Sequence, residues 1–86
     1  MATLIVTHEV DDVAHWLASP RREEFFGPMG FSHRTFVDPD NSNLVGLIVE
    51  CPSLEALHVA LQAEGADEAM KFDRVRPDTI RILVEG

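Results

Sequence analysis

The chain has 86 residues, with 15 acidic against seven basic side chains and a net charge of −8. This charge argues against nucleic acid as a partner, because a polyanion is repelled by it. No segment approaches the roughly 20 consecutive apolar residues that cross a bilayer, so we expect no membrane partner. We expect one domain over residues 1–86, located in the cytoplasm, because the N-terminal segment lacks a secretion signal and Cys51, the only cysteine, has no disulfide partner.

The N-terminal segment "TLIVTHEV" predicts a β-strand over residues 3–10. Side chains alternate between the two faces of a strand, so Leu4, Val6 and His8 share one face. Either His8 is a buried residue with both ring nitrogens hydrogen-bonded, or it is the polar end of a pocket.

Two short helices are expected next. "DDVAHW" has Asp11 or Asp12 as N-cap and Trp16 on its apolar stripe. In "SPRREEFFG", Ser19 fits a second N-cap, Pro20 the first helical position and Gly27 the end of the helix.

The middle of the chain predicts a β-hairpin. "FSHRTFVD" and "LVGLIVE" are strand-like, and "PDNSN" between them is rich in turn-forming residues.

The C-terminal part predicts helical segments and then a last strand. In "CPSLEALHVALQAEG", Ser53 fits the N-cap and Gly65 the C-terminal cap. "ADEAMKFD" predicts a further helical turn or two, "RVRPD" a loop and "TIRILVE" a strand. The order βαββαβ is that of the ferredoxin-like fold, an α+β class. We therefore predict a four-stranded antiparallel sheet in the order 4-1-3-2 with all helices on one face.

The opposite sheet face is expected to be apolar as well. If Leu4 and Val6 point to the helices, Ile5 and Leu83 point away from them. The strand "LVGLIVE" is apolar in both registers, so a monomer would expose an apolar patch. We predict a homodimer through this sheet face, with Ile5, Ile48 and Leu83 near its centre.

The segments "LIVTHEV", "VDPDNSNLVGLIVE", "SLEALHVALQ" and "EAMKFDRVRPDTIRILVE" resemble the dimeric α/β-barrel superfamily, in particular small proteins near the antibiotic-biosynthesis monooxygenases and polyketide cyclases. The resemblance implies two ferredoxin-like protomers packed sheet on sheet, each with an apolar pocket between its sheet and helices. In the enzymes of that superfamily such pockets oxidise or cyclise aromatic polyketides, generally without metal or flavin.

The resemblance suggests a cofactor-independent monooxygenase, isomerase or cyclase acting on a small aromatic or polyketide-like molecule. His8 is the candidate catalytic base, because it titrates near neutral pH. The candidate substrate-binding residues are aromatic or histidine side chains: Trp16, Phe25, Phe26, His33, Phe36 and Phe72.

Two alternatives without catalysis remain open. The protein could be a small-molecule-binding or stress-response module of the same fold, or a structural dimer. We expect no metal, because Glu55 and His58 form a single Glu-x-x-His, whereas carboxylate-bridged sites need this motif twice.

Overall fold

The computed structural model describes residues 1–63 and 65–86. The elements follow the order βααββααβ, because each predicted crossover contains two short helices. They are β1 (Ala2–Val10), α1 (Val13–Ala18), α2 (Arg21–Phe26), a turn of 3-10 helix (Gly27–Met29), β2 (Ser32–Val37), β3 (Leu44–Cys51), α3 (Leu54–Gln62), α4 (Ala66–Phe72) and β4 (Val75–Val84).

The four strands form one antiparallel sheet in the order β2-β3-β1-β4, which confirms the predicted topology and fold class. β1 is central, with Leu4 opposite Val49 on one side and Val84 on the other. In the βαββαβ order, the first crossover places β2 one strand position away from β1, and β3 fills the space between them. The second crossover places β4 on the other side of β1.

The core lies between one sheet face and the helices. Trp16 of α1, Phe26 of α2 and Leu57 of α3 pack against the alternate residues of β1 and β3 in a single cluster. The buried strand residues of this cluster are Leu4, Val6, Val10, Val45, Leu47, Val49 and Cys51. None of the helices within the described residues is long and apolar enough to span a membrane.

The opposite face, here called the open face, carries apolar side chains that no helix covers. Ile5 is 41% exposed and Leu83 is 52% exposed, and the two residues are paired across β1 and β4. Phe36 of β2 and Leu44 of β3 are also about half exposed. The open face of a single protomer therefore exposes apolar side chains on all four strands, beside Arg34 and Arg81.

Two predicted N-caps are confirmed. The side chain of Asp12 accepts a hydrogen bond from the backbone N–H of His15, and Ser53 does the same for Ala56. Each satisfies a backbone donor that the first helical turn leaves free.

The caps of α2 agree with the prediction in part. α2 begins at Arg21 with Pro20 in the N-cap position, one residue later than predicted, and Ser19 is the C-cap of α1. Ser19 Oγ nevertheless accepts a hydrogen bond from Arg21 N at 3.2 Å. Gly27 is the C-cap of α2, as predicted, but its φ of −55° is helical and the chain continues into the 3-10 turn. Gly30, with φ of 75°, ends that turn in the left-handed conformation that glycine adopts without strain.

Gly65 was also assigned to the wrong helix. α3 ends at Gln62, and Gly65, with φ of 94°, is the N-cap of α4. The C-cap of α3 is Ala63, and the left-handed conformation of Gly65 starts α4.

Most of the segment "RVRPD" is not the predicted loop, because β4 begins at Val75 and only Arg74 lies before it. The pairing of β1 with β4 shifts register between Thr7 and Glu9, which marks a β-bulge. Thr79 holds the bulge, since its Oγ1 accepts from Glu9 N at 2.8 Å and donates to Arg76 O at 2.6 Å. Pro77 is tolerated because β4 is an edge strand.

Candidate functional site

A cavity of about 80 Å³ lies between the covered sheet face and the helices. β1 contributes His8 to its wall, α1 contributes Trp16, and α2 contributes Phe25 and Phe26. Most of the remaining wall is aliphatic, including Leu47, Leu57, Leu61, Met70, Val75 and Ile80. The volume exceeds what a single water needs but is smaller than the roughly 150 Å³ apolar cavity known to bind benzene.

His8 is nearly enclosed, with 6% of its surface exposed. Its ring meets Trp16 edge to face, with the centroids 5.8 Å apart and an interplanar angle of 79°. Burial lowers the pKa of His8 below its ordinary 6.5, and the Arg22 cation acts in the same direction, against the Glu9 backbone and Asp73, which raise it. His8 is therefore a neutral imidazole at pH 7.

Arg22 and Asp73 form a buried ion pair in the cavity wall. They are 9% and 4% exposed, and Arg22 Nη1 donates to Asp73 Oδ2 at 3.2 Å. Arg22 Nη2 donates to the Trp16 carbonyl oxygen at 2.6 Å, and the guanidinium carbon lies 4.1 Å from the centroid of the Trp16 ring. Arg22 thus connects α2 to the end of α1 and to the residue that follows α4.

Three buried polar atoms of these residues have no hydrogen-bond partner in the described protein: His8 Nδ1, Arg22 Nε and Asp73 Oδ1. Native proteins satisfy most buried polar groups, so such a group usually has a structural or functional reason. All three belong to residues that line the same cavity.

A groove of about 340 Å³ between α2 and α4 adjoins the cavity, because Arg21, Phe25 and Ala69 line both. Phe72 lies in this groove, with the Arg21 guanidinium 4.6 Å from its ring centroid. His15 Nε2 donates to the Phe72 carbonyl oxygen at 2.6 Å and ties α1 to the end of α4. The groove and the cavity therefore share part of one wall.

The structure brings together four of the seven residues that the sequence singled out. His8, Trp16, Phe25 and Phe26 line the cavity, as alternation along β1 and the helical period suggest.

The other three residues lie outside the cavity lining. His33 packs behind Phe26, with the ring centroids 5.7 Å apart. Phe36 is opposite Gly46 and points to the open face, because that strand position alternates away from the helices. Phe72 lines the outer groove.

Sequence reasoning missed Arg22 and Asp73. Arg22 lies in "RREE", which looks like a solvated helix surface, yet it shares a helical face with Phe25 and Phe26 at spacings of three and four residues. A cation on an apolar helix face is a signal of a buried partner. Asp73 carries no comparable signal, because its partner is 51 residues away.

Within residues 1–63 and 65–86, no three His, Cys, Asp or Glu side chains lie close enough to hold a metal ion. Cys51 is buried as a free thiol, with Sγ 3.3 Å from the Ser53 carbonyl oxygen. The chemistry available in the cavity is that of a neutral imidazole, an ion pair and apolar walls.

Neither a family model nor a curated protein sequence matches this chain. The fold is similar to solved structures. One, described as an antibiotic biosynthesis monooxygenase, has a TM-score of 0.66 and 16% sequence identity over 100% of this chain and 97% of its own. Another, described as a putative antibiotic biosynthesis monooxygenase from Deinococcus radiodurans, has a TM-score of 0.56 and 14% identity over 100% of this chain and 91% of its own. The chain therefore has the ferredoxin-like fold that these two structures share.

Proposed function

We propose that this protein is a cytoplasmic homodimer that binds a small, largely apolar molecule in the cavity of each protomer, and that His8 accepts a proton from it. The proposal covers cofactor-independent monooxygenase, isomerase and cyclase chemistry on an aromatic or polyketide-like substrate. Proton removal next to a carbonyl, or from a phenol, is the first step that these reactions share.

The observation that carries the proposal is a buried imidazole in an apolar cavity, with Nδ1 unpartnered. A general base must be deprotonated at working pH, and burial keeps His8 in that form. Nδ1 is enclosed in the free protein, so a small movement of the ring toward the cavity accompanies substrate binding. Trp16, Phe25 and Phe26 would supply the flat apolar walls that an aromatic substrate contacts.

The first step breaks an acidic C–H or O–H bond of the substrate. The proton passes to His8, which becomes an imidazolium, and the electron pair remains on the substrate as an enolate or phenolate. An isomerase or cyclase returns the proton to another atom. In a monooxygenase, O2 takes the electrons from the substrate, so that a CH2 group becomes a carbonyl and the second oxygen atom leaves as water.

The homodimer is supported by the open face. Ile5, Ile48 and Leu83 lie on neighbouring strands in the register Ile5–Ile48 and Ile5–Leu83, so they form one apolar row across the sheet. Packing two such faces would bury on the order of 1,500 Å² in total, the size of an ordinary specific interface.

Hydrogen exchange in D2O tests the base without knowledge of the natural substrate. Phenylacetone is neutral, aromatic and enolisable, and its benzylic hydrogens exchange when a base removes them. We expect the wild-type protein to accelerate their loss, followed by proton NMR, and His8→Gln to abolish the acceleration while still binding the ketone. Equal rates in the two proteins would overturn His8 as the base.

A non-catalytic binding module is the second candidate, favoured by the small volume of the cavity and the enclosure of Nδ1. Binding of phenylacetone by the wild type without faster exchange would establish this candidate over the enzyme.

A further inference from the structure

We infer that the cavity selects uncharged ligands: a flat apolar molecule with a neutral hydroxyl, carbonyl or amide group is accepted, and carboxylates and ammonium ions of the same size are rejected. The inference rests on the proposed function in one respect, that the cavity is a binding site. It goes further by naming the charge class of the ligand and the residues that set it.

The first step is the charge of the wall. Its ionisable members are His8, Arg21, Arg22 and Asp73. His8 is neutral, and the charges of Arg22 and Asp73 cancel within one buried pair. Arg21 is at the mouth, where its side chain is 47% exposed and lies 3.4 Å from Glu24, so solvent and this neighbour screen its charge. Among residues 1–63 and 65–86, the cavity lining therefore offers no net charge to a ligand ion.

The second step is that both buried charges are already committed. Arg22 donates to Asp73 and to the Trp16 carbonyl oxygen, and its guanidinium covers the Trp16 ring. A carboxylate could accept a hydrogen bond from Arg22 Nε, but Asp73 already neutralises the guanidinium, so the ligand would be a second buried anion with no cation of its own. An ammonium ion could approach Asp73 Oδ1, but it would be a second buried cation, because Arg22 already neutralises Asp73. An isolated charge in an apolar cavity loses its hydration without compensation.

The third step is the hydrogen-bonding capacity that remains. Arg22 Nε can donate one hydrogen bond, Asp73 Oδ1 can accept one, and His8 Nδ1 is unpartnered. A neutral hydroxyl or amide both donates and accepts, so it can use this capacity without bringing a charge. Because the cavity holds only about 80 Å³, we place the polar end of the ligand there and its body toward the groove between α2 and α4.

Four molecules of matched size test the inference: benzyl alcohol, benzamide, benzoate and benzylammonium. Trp16 is the only tryptophan and the chain has no tyrosine, so its fluorescence reports on the cavity wall directly. We expect benzyl alcohol and benzamide to bind at least about tenfold more tightly than either ion. Because the chain has a net charge of −8, benzylammonium controls for long-range repulsion of benzoate.

A variant should reverse the selection. Asp73→Asn keeps the shape of the side chain and leaves the Arg22 cation unpaired. The affinity for benzoate relative to that for benzyl alcohol should therefore rise by about tenfold or more compared with the wild type. The double variant Arg22→Met with Asp73→Asn removes both charges and should restore the preference for neutral molecules. If Asp73→Asn fails to fold, the double variant still allows binding to be measured, because replacing both members of a buried ion pair destabilises a protein less than removing one of them.

The outcomes separate this inference from the proposed function. Benzoate or benzylammonium binding as tightly as the neutral molecules would overturn the charge selection and leave a small-molecule site standing. Failure of all four to perturb Trp16, or the amide signals of His8 and Leu57 in NMR, would overturn the binding site itself and the inference with it.

Discussion

The guanidinium of Arg22 covers the face of the Trp16 ring at 4.1 Å and at the same time donates to the Trp16 backbone carbonyl at 2.6 Å. One side chain of α2 thereby fixes both the ring and the backbone of the only tryptophan, at the point where α1 ends. Asp73 holds the guanidinium from the other side of the cavity wall.

Removing one member of the Arg22–Asp73 ion pair should destabilise the folded protein. We expect Arg22→Ala or Asp73→Ala to lower the free energy of unfolding by about 3–5 kcal/mol, because each leaves one buried charge without its partner. Urea denaturation followed by Trp16 fluorescence measures the loss. Arg21→Ala is the matched control, since its pair with Glu24 is exposed and should be worth less than about 1 kcal/mol. Similar losses for the two arginines would contradict the role assigned to Arg22.

The free energy of unfolding should decrease as the pH drops below 6.5, because His8 is buried. Its pKa in the folded protein is lowered below the 6.5 of the unfolded chain, so the unfolded state binds more protons as the pH drops below 6.5. The contribution of neutral His8 is complete above pH 6.5 and is lost as the pH falls through the folded pKa. Urea denaturation at pH 7.5 and at several values down to pH 5 should show this loss, and His8→Gln should show a shallower pH dependence. An identical pH profile for the two proteins would mean that His8 is not buried as a neutral ring.

We expect the open face to form the interface of the homodimer. Wild-type protein in size-exclusion chromatography with light scattering, at low micromolar concentration, should have twice the 9.6 kDa mass of one chain. Leu83→Glu should give a monomer, because it places a charge on the exposed apolar row. Val59→Glu is the control: Val59 is 63% exposed but lies on α3, on the other side of the sheet. A monomeric wild type, or dissociation by the control alone, would refute the sheet-face dimer.

The bulge of β4 should depend on Thr79. Thr79→Val keeps the shape of the side chain but leaves the part-buried Glu9 N–H and the Arg76 carbonyl without the hydroxyl, so we expect a loss of about 1–3 kcal/mol in the free energy of unfolding. Thr35→Val on β2 is the control, because Thr35 is exposed. Hydrogen exchange should show faster exchange of the Glu9 amide in the Thr79 variant only.

The topology could be predicted because it depends on periodicity. Alternation along β1 placed Leu4, Val6 and His8 on the covered face, and the helical stripe of α1 placed Trp16 opposite them. These patterns repeat over several residues, so errors at single positions do not change the result.

The predictions that were wrong, and the ion pair that was missed, concern contacts between distant parts of the chain. Gly65 could serve either of two helices, and only the packing of α4 decides between them. "RVRPD" has the composition of a loop, but Arg76 binds Glu9 and Asp11, and Thr79 completes the pairing with β1. The Arg22–Asp73 pair joins residues 51 positions apart, a distance over which composition and spacing carry no information.

The central position of β1 has a consequence for how the chain folds as it is synthesised. β1 is made first, but one of its edges pairs with β4, whose residues emerge about 70 positions later. Until then, Val6 and its neighbours present backbone donors and acceptors along an apolar strand that other chains could extend. The nascent chain therefore depends on β3 to occupy the other edge early, and variants that slow the β2–β3 hairpin should aggregate during translation even when the finished protein is stable.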